Sequence, residues 1–257
     1  MLTLDLLNTP YNGPEQLNGK TGYFFGTFNP VHLGHLLFAD FARQQLGLRR
    51  IVFVPAGAPP NKLFTGNHPD NLAQAKNTVT ALASGQDRLT MTRLATANRA
   101  CFEVYAGEVE CAKTSSGTDP KPIYTINTLE AMLGGPIAQA KTKPVLLMGE
   151  DTLRTLPRWH RAQTLMQHCV FAATARLSPQ NETLQPIAQP EFGATGQNLP
   201  KDVLNDLAIE WITMPRIEIS ASLIRRNIAS GKSIHYLTPA PVYDFIQANR
   251  LYRGEAK

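Results

Sequence analysis

The chain has 257 residues, 43% of them hydrophobic, enough for a sizeable core and a length that fits one large α/β domain better than two. Its net charge of +5 suits an anionic ligand, but Lys and Arg are spread out with no dense block interleaved with aromatics, which argues against nucleic acid as a partner. No stretch approaches the ~20 apolar residues that cross a bilayer, residues 1–20 lack the basic start and apolar core of a secretory leader, and Cys101, Cys111 and Cys169 form no CxxC pair or zinc-type cluster. A cytoplasmic protein without membrane contact, disulfide framework or structural metal is expected.

The first element is an aromatic run, Tyr23-Phe24-Phe25, between Gly22 and Gly26; it reads as a short buried strand. Directly behind it stands GTFNPVHLGH, Gly26 to His35. Gly26 lets the backbone turn sharply and approach a ligand, and Pro30 keeps Asn29 out of a helix. Apolar residues at Leu36, Leu37, Phe38, Phe41, Ala42 and Leu46 then recur with helical spacing, which predicts a helix from about His32 with one broad buried face. His32 and His35 share a face of its N-terminus, where unpaired N–H groups and the positive end of the helix dipole favour an anion. A lone histidine here would read as a core or capping residue. Two of them, with Gly26 and Gly34 in a strand–turn–helix context, favour phosphate binding.

Further along, Arg50–Val54 is a second apolar strand, closed by Pro55 and the turn-rich AGAPPNK. A helix is predicted over Asp87–Ala100, an extended segment over Phe102–Val109 and a helix over Thr125–Leu133. Val145–Met148 and Cys169–Ala173 read as two more buried strands, and Trp211–Met214 as a sixth. This order argues for a parallel sheet with helices on both faces. Ligands of such sheets bind beyond the C-terminal strand ends, the edge that the loops after Phe25, Val54 and Met148 all leave. Residues 176–201, rich in Pro, Gln, Asn and Gly, read as a surface insertion.

Two later segments add polar groups. In GEDTLRTLPRWH, Gly149 to His160, Asp151 reads either as a helix cap or as an acceptor for a ribose. Trp159 reads as a core residue or as a platform for a flat ring. In EISASLIRRNIASGK, Glu218 to Lys232, Ser220 and Ser222 are good N-cap residues, Leu223, Ile224 and Ile228 make an apolar stripe, and Gly231 is a C-terminal stop. Arg225, one turn inside that helix, reads as a polyphosphate clamp or as a solvated surface arginine.

GTFNPVHLGH followed by ISASLIRR resembles the HxGH nucleotidyltransferases. With VPAGAPPNK, QDRLTMTRLA, IYTINTLEAM, MGEDTLRTLPRWH and LTPAPVYDFIQANRLYR in order, the stretch from about Gly22 to Arg253 is similar to the bacterial nicotinate-nucleotide adenylyltransferases. The resemblance implies a Rossmann-like nucleotidyltransferase fold in one domain, with an extension at residues 1–20 and a C-terminal helical segment over residues 218–253. It implies adenylyl transfer from ATP to nicotinate mononucleotide, a step of NAD synthesis, with Mg²⁺ bound mainly through ATP phosphates.

By motif position, His32, His35 and Arg225 would be catalytic. Gly26, Thr27, Phe28, Gly149, Asp151, Ser220 and Ser222 would hold ATP, and Lys62, Thr125, Trp159 and His160 the mononucleotide. Departures from the family pattern fall at Asn29 (commonly Asp), Asn61 (commonly His), Glu150, and Thr174-Ala175-Arg176-Leu177, where Arg-Arg-Pro is usual. The alternatives are an acceptor that is the amide mononucleotide or phosphopantetheine, or a regulator that binds a nucleotide without turning it over. The LPRWH segment and the C-terminal LTPAPVYDFIQANRLYR argue against phosphopantetheine, and oligomeric state is left open.

Overall fold

A computed structural model describes residues 17–57, 82–114, 122–174 and 207–253. They build a six-stranded sheet: β1 (Thr21–Gly26), β2 (Arg50–Pro55), β3 (Phe102–Val104), β4 (Val145–Gly149), β5 (Val170–Thr174) and β6 (Ile209–Ile212). The order is β3-β2-β1-β4-β5-β6, and every pairing is parallel. The chain winds outward from β1 to one side, then returns to β4 and winds outward to the other. The crevice between the C-terminal ends of β1 and β4 is therefore the topological switch point, where open α/β sheets bind their ligands.

Eight α-helices accompany the sheet among the described residues: α1 (Leu33–Gln45), α2 (Gly85–Thr96), α3 (Gly107–Thr114), α4 (Thr125–Leu133), α5 (Glu150–Thr155), α6 (Ala162–His168), α7 (Ala221–Ala229) and α8 (Ala240–Ala248). None is long and apolar enough to cross a membrane.

Alternation along the strands sorts the core into two layers. Phe24, Ile51, Phe53, Val145, Leu147, Val170 and Ala172 face Phe38, Ala39, Met91, Ile224, Val242 and Ile246 of α1, α2, α7 and α8. Tyr23, Val52, Val54, Leu146, Met148, Phe171 and Ala173 face Ile126, Leu129, Leu153 and Leu165 of α4, α5 and α6. Each such large apolar side chain contributes about 1.5–3 kcal/mol when buried, so the near-continuous apolar runs at β2, β4 and β5 reflect burial on both faces. Gly22 is fixed by this packing: a Cβ there would lie 2.8 Å from Ile51 Cδ1 and Leu147 Cδ1.

Several boundaries differ from the sequence expectation. The segment Phe102–Val109 is extended only to Val104, because α3 starts at Gly107 and turns Glu108 and Val109 into buried helical positions. The helix expected over Asp87–Ala100 ends at Thr96, and the sixth strand lies two residues earlier than Trp211–Met214. Leu37 faces outward at 37% exposure while Ala39 takes the buried place. Residues 17–20 of the expected N-terminal extension belong to the domain: Leu17 is buried, and Gly19 N–H donates to Gly47 O at 2.8 Å. The expected insertion over residues 176–201 lies outside the described residues.

Candidate active site

The loop from Gly26 to His32 leaves β1 at the switch point and is shaped by its own side chains. A Cβ on Gly26 would lie 2.8 Å from the ring of Phe28. Glycine is thus required by the close approach of that ring, whereas the left-handed turn itself falls on Phe28, at φ 46°. The Phe28 ring is buried edge-on against Phe24 and His35, with centroids 5.3 and 5.1 Å away. Gly34 has a similar reason: a Cβ there would sit 3.1 Å from Nδ1 of His32. Both glycines of the motif make room for rings.

His32 is the N-cap of α1 and His35 its third residue, which places the two imidazoles one above the other, stacked at 3.6 Å with planes 25° apart. The backbone N–H of His32 donates to His35 Nδ1 at 3.2 Å, so the neutral His35 ring carries its proton on Nε2 and presents a donor. His32 is only 6% exposed, and its buried Nδ1 has no hydrogen-bond partner. Burial pushes the His32 imidazole from its ordinary value down to about 4. Burial and the neighbouring His32 hold His35 well below the usual histidine range.

The helix tip offers less free backbone than the sequence implies. Leu33 N–H donates to Leu237 O at 3.1 Å and His35 N–H to His32 O at 3.0 Å. Imidazole edges therefore carry much of its polarity.

The second helix tip comes in from β6. Ser220 caps α7, its Oγ accepting from Leu223 N–H at 3.2 Å, and Gly231, at φ 70°, stops the helix just past its end. The carbonyl of Ile219 lies 3.6 Å from where a Gly34 Cβ would be, so the tips of α1 and α7 are neighbours. Arg225, only 8% exposed, donates from Nη1 to Asn29 O at 2.6 Å and from Nη2 to Ser222 Oγ at 3.2 Å. This excludes the solvated-arginine reading. Arg225 ties α7 to the very loop that carries His32.

Asn29 is a junction that local sequence patterns do not reveal. Its Oδ1 accepts from Ala83 N–H at 3.0 Å and from the Tyr252 hydroxyl at 2.7 Å. The only sequence signal is a polar residue in an apolar motif. Arg88 of α2 and Glu108 of α3, both buried, were likewise missed. The signal for Arg88 is a charge on the helix face that also carries Met91 and Thr92.

The third group lies beyond β4. Gly149 is the N-cap of α5, with open space where a Cβ would be. Asp151 falls inside the first turn of α5 and is not its cap; its side chain lies outside the described residues, as does Lys62. Trp159 is half-buried, and its indole N–H donates to Thr155 Oγ1 at 3.0 Å, which makes it neither a closed core residue nor a free flap. The exposed His160 ring stacks on Tyr124 at 4.2 Å with planes 24° apart, and Tyr124 immediately precedes Thr125 at the start of α4. Arg161 grips Glu130 with two N–H···O bonds of 2.7 and 3.1 Å. Thr125 and His160 are thus brought together, with Trp159 on the same loop.

Among the described residues no three His, Cys, Asp or Glu side chains gather as a metal cage. The donor set at the two helix tips is imidazole, hydroxyl and guanidinium, which suits phosphate oxygens and not a hard divalent cation.

A cytidylyltransferase-like family model matches residues 23–227, a span that takes in all three groups. A protein of Dehalococcoides mccartyi named "Probable nicotinate-nucleotide adenylyltransferase" is 31% identical over 233 residues, 91% of this chain and 97% of that one. A protein of the same name from Pseudomonas putida is 33% identical over 240 residues, 91% of this chain and 95% of its own length. In fold, the chain is similar to the nicotinic acid mononucleotide adenylyltransferase of Plasmodium falciparum, with a TM-score of 0.59 over 91% of this chain and 98% of that one, at 13% identity. Identity at this level, across nearly the full length of both partners, places the chain in the cytidylyltransferase-like family and, within it, among the nicotinate-nucleotide adenylyltransferases.

Proposed function

We propose that this protein transfers the adenylyl group of ATP to nicotinate mononucleotide, giving deamido-NAD and pyrophosphate. The observation that carries the reading is the convergence of the stacked His32–His35 pair and the Ser220–Arg225 helix tip, joined through Asn29 at the switch point. Two helix N-termini and a buried guanidinium then meet at one place suited to a triphosphate.

In this reading a phosphate oxygen of the mononucleotide attacks the α-phosphorus of ATP in line. The bond from the α-phosphorus to the bridging oxygen breaks, and pyrophosphate leaves with the electron pair. No protein nucleophile takes part; positioning and preorganised donors supply the catalysis. His35 donates from Nε2 and, with His32, stabilises charge on the transferring phosphoryl group without having to lose a proton. Ser222 and Arg225 hold the β- and γ-phosphates. Gly26, Thr27 and Phe28 line the nucleotide with backbone, Gly149 and Asp151 face the ribose, and Ser220 orients the α7 tip. Mg²⁺ bound through ATP phosphate oxygens would supply neutralisation of part of the triphosphate charge.

Trp159 stacks on the pyridine ring, backbone N–H groups near Thr125 and His160 take the nicotinate carboxylate, and Lys62 meets the mononucleotide phosphate. Pyrophosphate release from ATP should then be at least about tenfold faster, as kcat/KM, with nicotinate mononucleotide than with the amide form, because backbone donors built for a carboxylate are left poorly paired by an amide. Equal rates, or the reverse order, contradict the reading.

A further inference from the structure

The loops that follow β1 and β2 are held by two buried charged side chains for which the transfer step has no direct use. Arg88 on α2 is 1% exposed. Its Nη1 donates to Thr27 O at 2.9 Å, its Nη2 to Gly57 O at 3.1 Å and its Nε to Ala83 O at 3.2 Å. Glu108 on α3, 5% exposed, meets the same glycine from the other side. Its Oε2 accepts from Gly57 N–H at 3.2 Å, and its Oε1 accepts from the Thr128 hydroxyl on α4 at 2.9 Å.

Gly57 is therefore gripped at both its N–H and its C=O by side chains of opposite charge. A Cβ on Gly57 would lie 2.0 Å from the carbonyl oxygen of Glu108, so no other residue fits. Burying a guanidinium and a carboxylate is costly, and apolar residues of similar volume would often fill the space at no loss of stability. What an apolar pair could not do is set a distance. The rigid guanidinium fixes the spacing of the three carbonyls it bridges, Thr27 within the nucleotide motif, Gly57 at the mouth of the β2 loop and Ala83 ahead of α2, and Glu108 extends that fixed frame to α4.

We propose that Arg88 and Glu108 are positioning residues for adenylyl transfer: they lock the loop at Thr27, the loop at Gly57 and the first turn of α4 at Thr125 into one frame, so that donor and acceptor meet in line. Neither side chain touches the reacting atoms. This inference rests on the adenylyl-transfer reading, and its signature is a loss of kcat with both substrates still bound, because a misplacement of about 1 Å costs on the order of 100-fold in rate.

The test measures kcat, both KM values and the melting temperature for the wild type, Arg88→Lys, Glu108→Ala, Glu108→Gln and Thr128→Val. Arg88→Lys, whose single ammonium has no planar fork to hold the three carbonyls in fixed directions, and Glu108→Ala are expected to lose about 10- to 100-fold in kcat with KM for ATP changed less than about threefold. Glu108→Gln is expected to keep kcat within about threefold, since its amide oxygen accepts from Gly57 and its amide N–H donates to Thr128 Oγ1.

Unchanged kcat in Arg88→Lys and Glu108→Ala overturns the proposal, as does a loss in Glu108→Gln equal to that in Glu108→Ala, or a kcat loss that only tracks weakened ATP binding and a lowered melting temperature. Should the first two variants fail to fold, Thr128→Val decides. A kcat lowered about threefold or more supports the frame, and an unchanged kcat overturns it. A wild type that is inactive on nicotinate mononucleotide strikes the function proposed above, whereas an active wild type with an equally active Arg88→Lys strikes only the frame.

Discussion

The two sides of the crevice are built differently. On the β1 side, His32 and Arg225 are buried, the loop between Gly26 and His35 is packed by Phe24 and Phe28, and Asn29 joins it to α7 and to Tyr252. On the β4 side, His160 and Arg161 are exposed, and the contacts of the Trp159 loop include a ring stack, an ion pair and the indole hydrogen bond to Thr155, all at the surface. The first side is a fixed, dry set of donors that needs no reorganisation when charge develops. The second is held by contacts worth little individually in water, as suits a wall that has to admit and release a flat ring.

If that contrast is right, the largest effects come from the buried side. His35→Ala should lower kcat/KM by about 100- to 1,000-fold, the cost of one preorganised donor to the transition state, with the folded circular-dichroism spectrum retained although the lost packing on Phe28 and His32 lowers the melting temperature. A loss below tenfold would break the comparison. Gly34→Ala comes next. The added methyl presses on Nδ1 and Cε1 of His32 at 3.1 and 3.2 Å and should lower turnover about tenfold, consistent with a small displacement of a catalytic group; a circular-dichroism spectrum unchanged from wild type would confirm that the ring, not the fold, has moved.

The third effect is on stability. Because the folded His32 has its pKa depressed to about 4, the unfolded chain binds a proton that the folded one does not as pH falls below the ordinary value of 6.5. Up to about 3 kcal/mol should be present above that pH and lost progressively between 6.5 and about 4, with His35 acting in the same direction. Thermal melting followed over that range should show the fall, and His32→Asn should make it shallower, leaving the part due to His35; an equally steep fall in the variant would mean that His32 does not contribute.

The smallest effect should come from the exposed side. Glu130→Gln, which leaves Arg161 without its charged partner, should raise KM for the mononucleotide less than about threefold and leave KM for ATP unchanged. A larger rise in the ATP constant would show that the two sides are not separable.

What the sequence revealed follows the same contrast. The strands at β1, β2, β4 and β5, the eventual α4 and the paired histidines were legible because apolar runs, helical spacing and glycine placement are local patterns. The segment after Val104 was misread as extended, since Val104, Tyr105 and Val109 are residue types that favour strands, while the helix is set by what Glu108 and Val109 bury against. The roles of Asn29, Arg88 and Tyr252 were not legible at all: their partners lie up to 223 residues away. Gly26 and Gly34 stand out in the sequence as a turn and a helix start, but the packed rings that demand them could be identified only in three dimensions.

A crystal structure with a non-hydrolysable ATP analogue and Mg²⁺ reads the shared triphosphate site directly. The expected result has phosphate oxygens within hydrogen-bond distance of an imidazole of His32 or His35 and, on the same ligand, of Ser222 or Arg225. Phosphates bound elsewhere, with the Nε2 edge of His35 facing only protein or water, would contradict it.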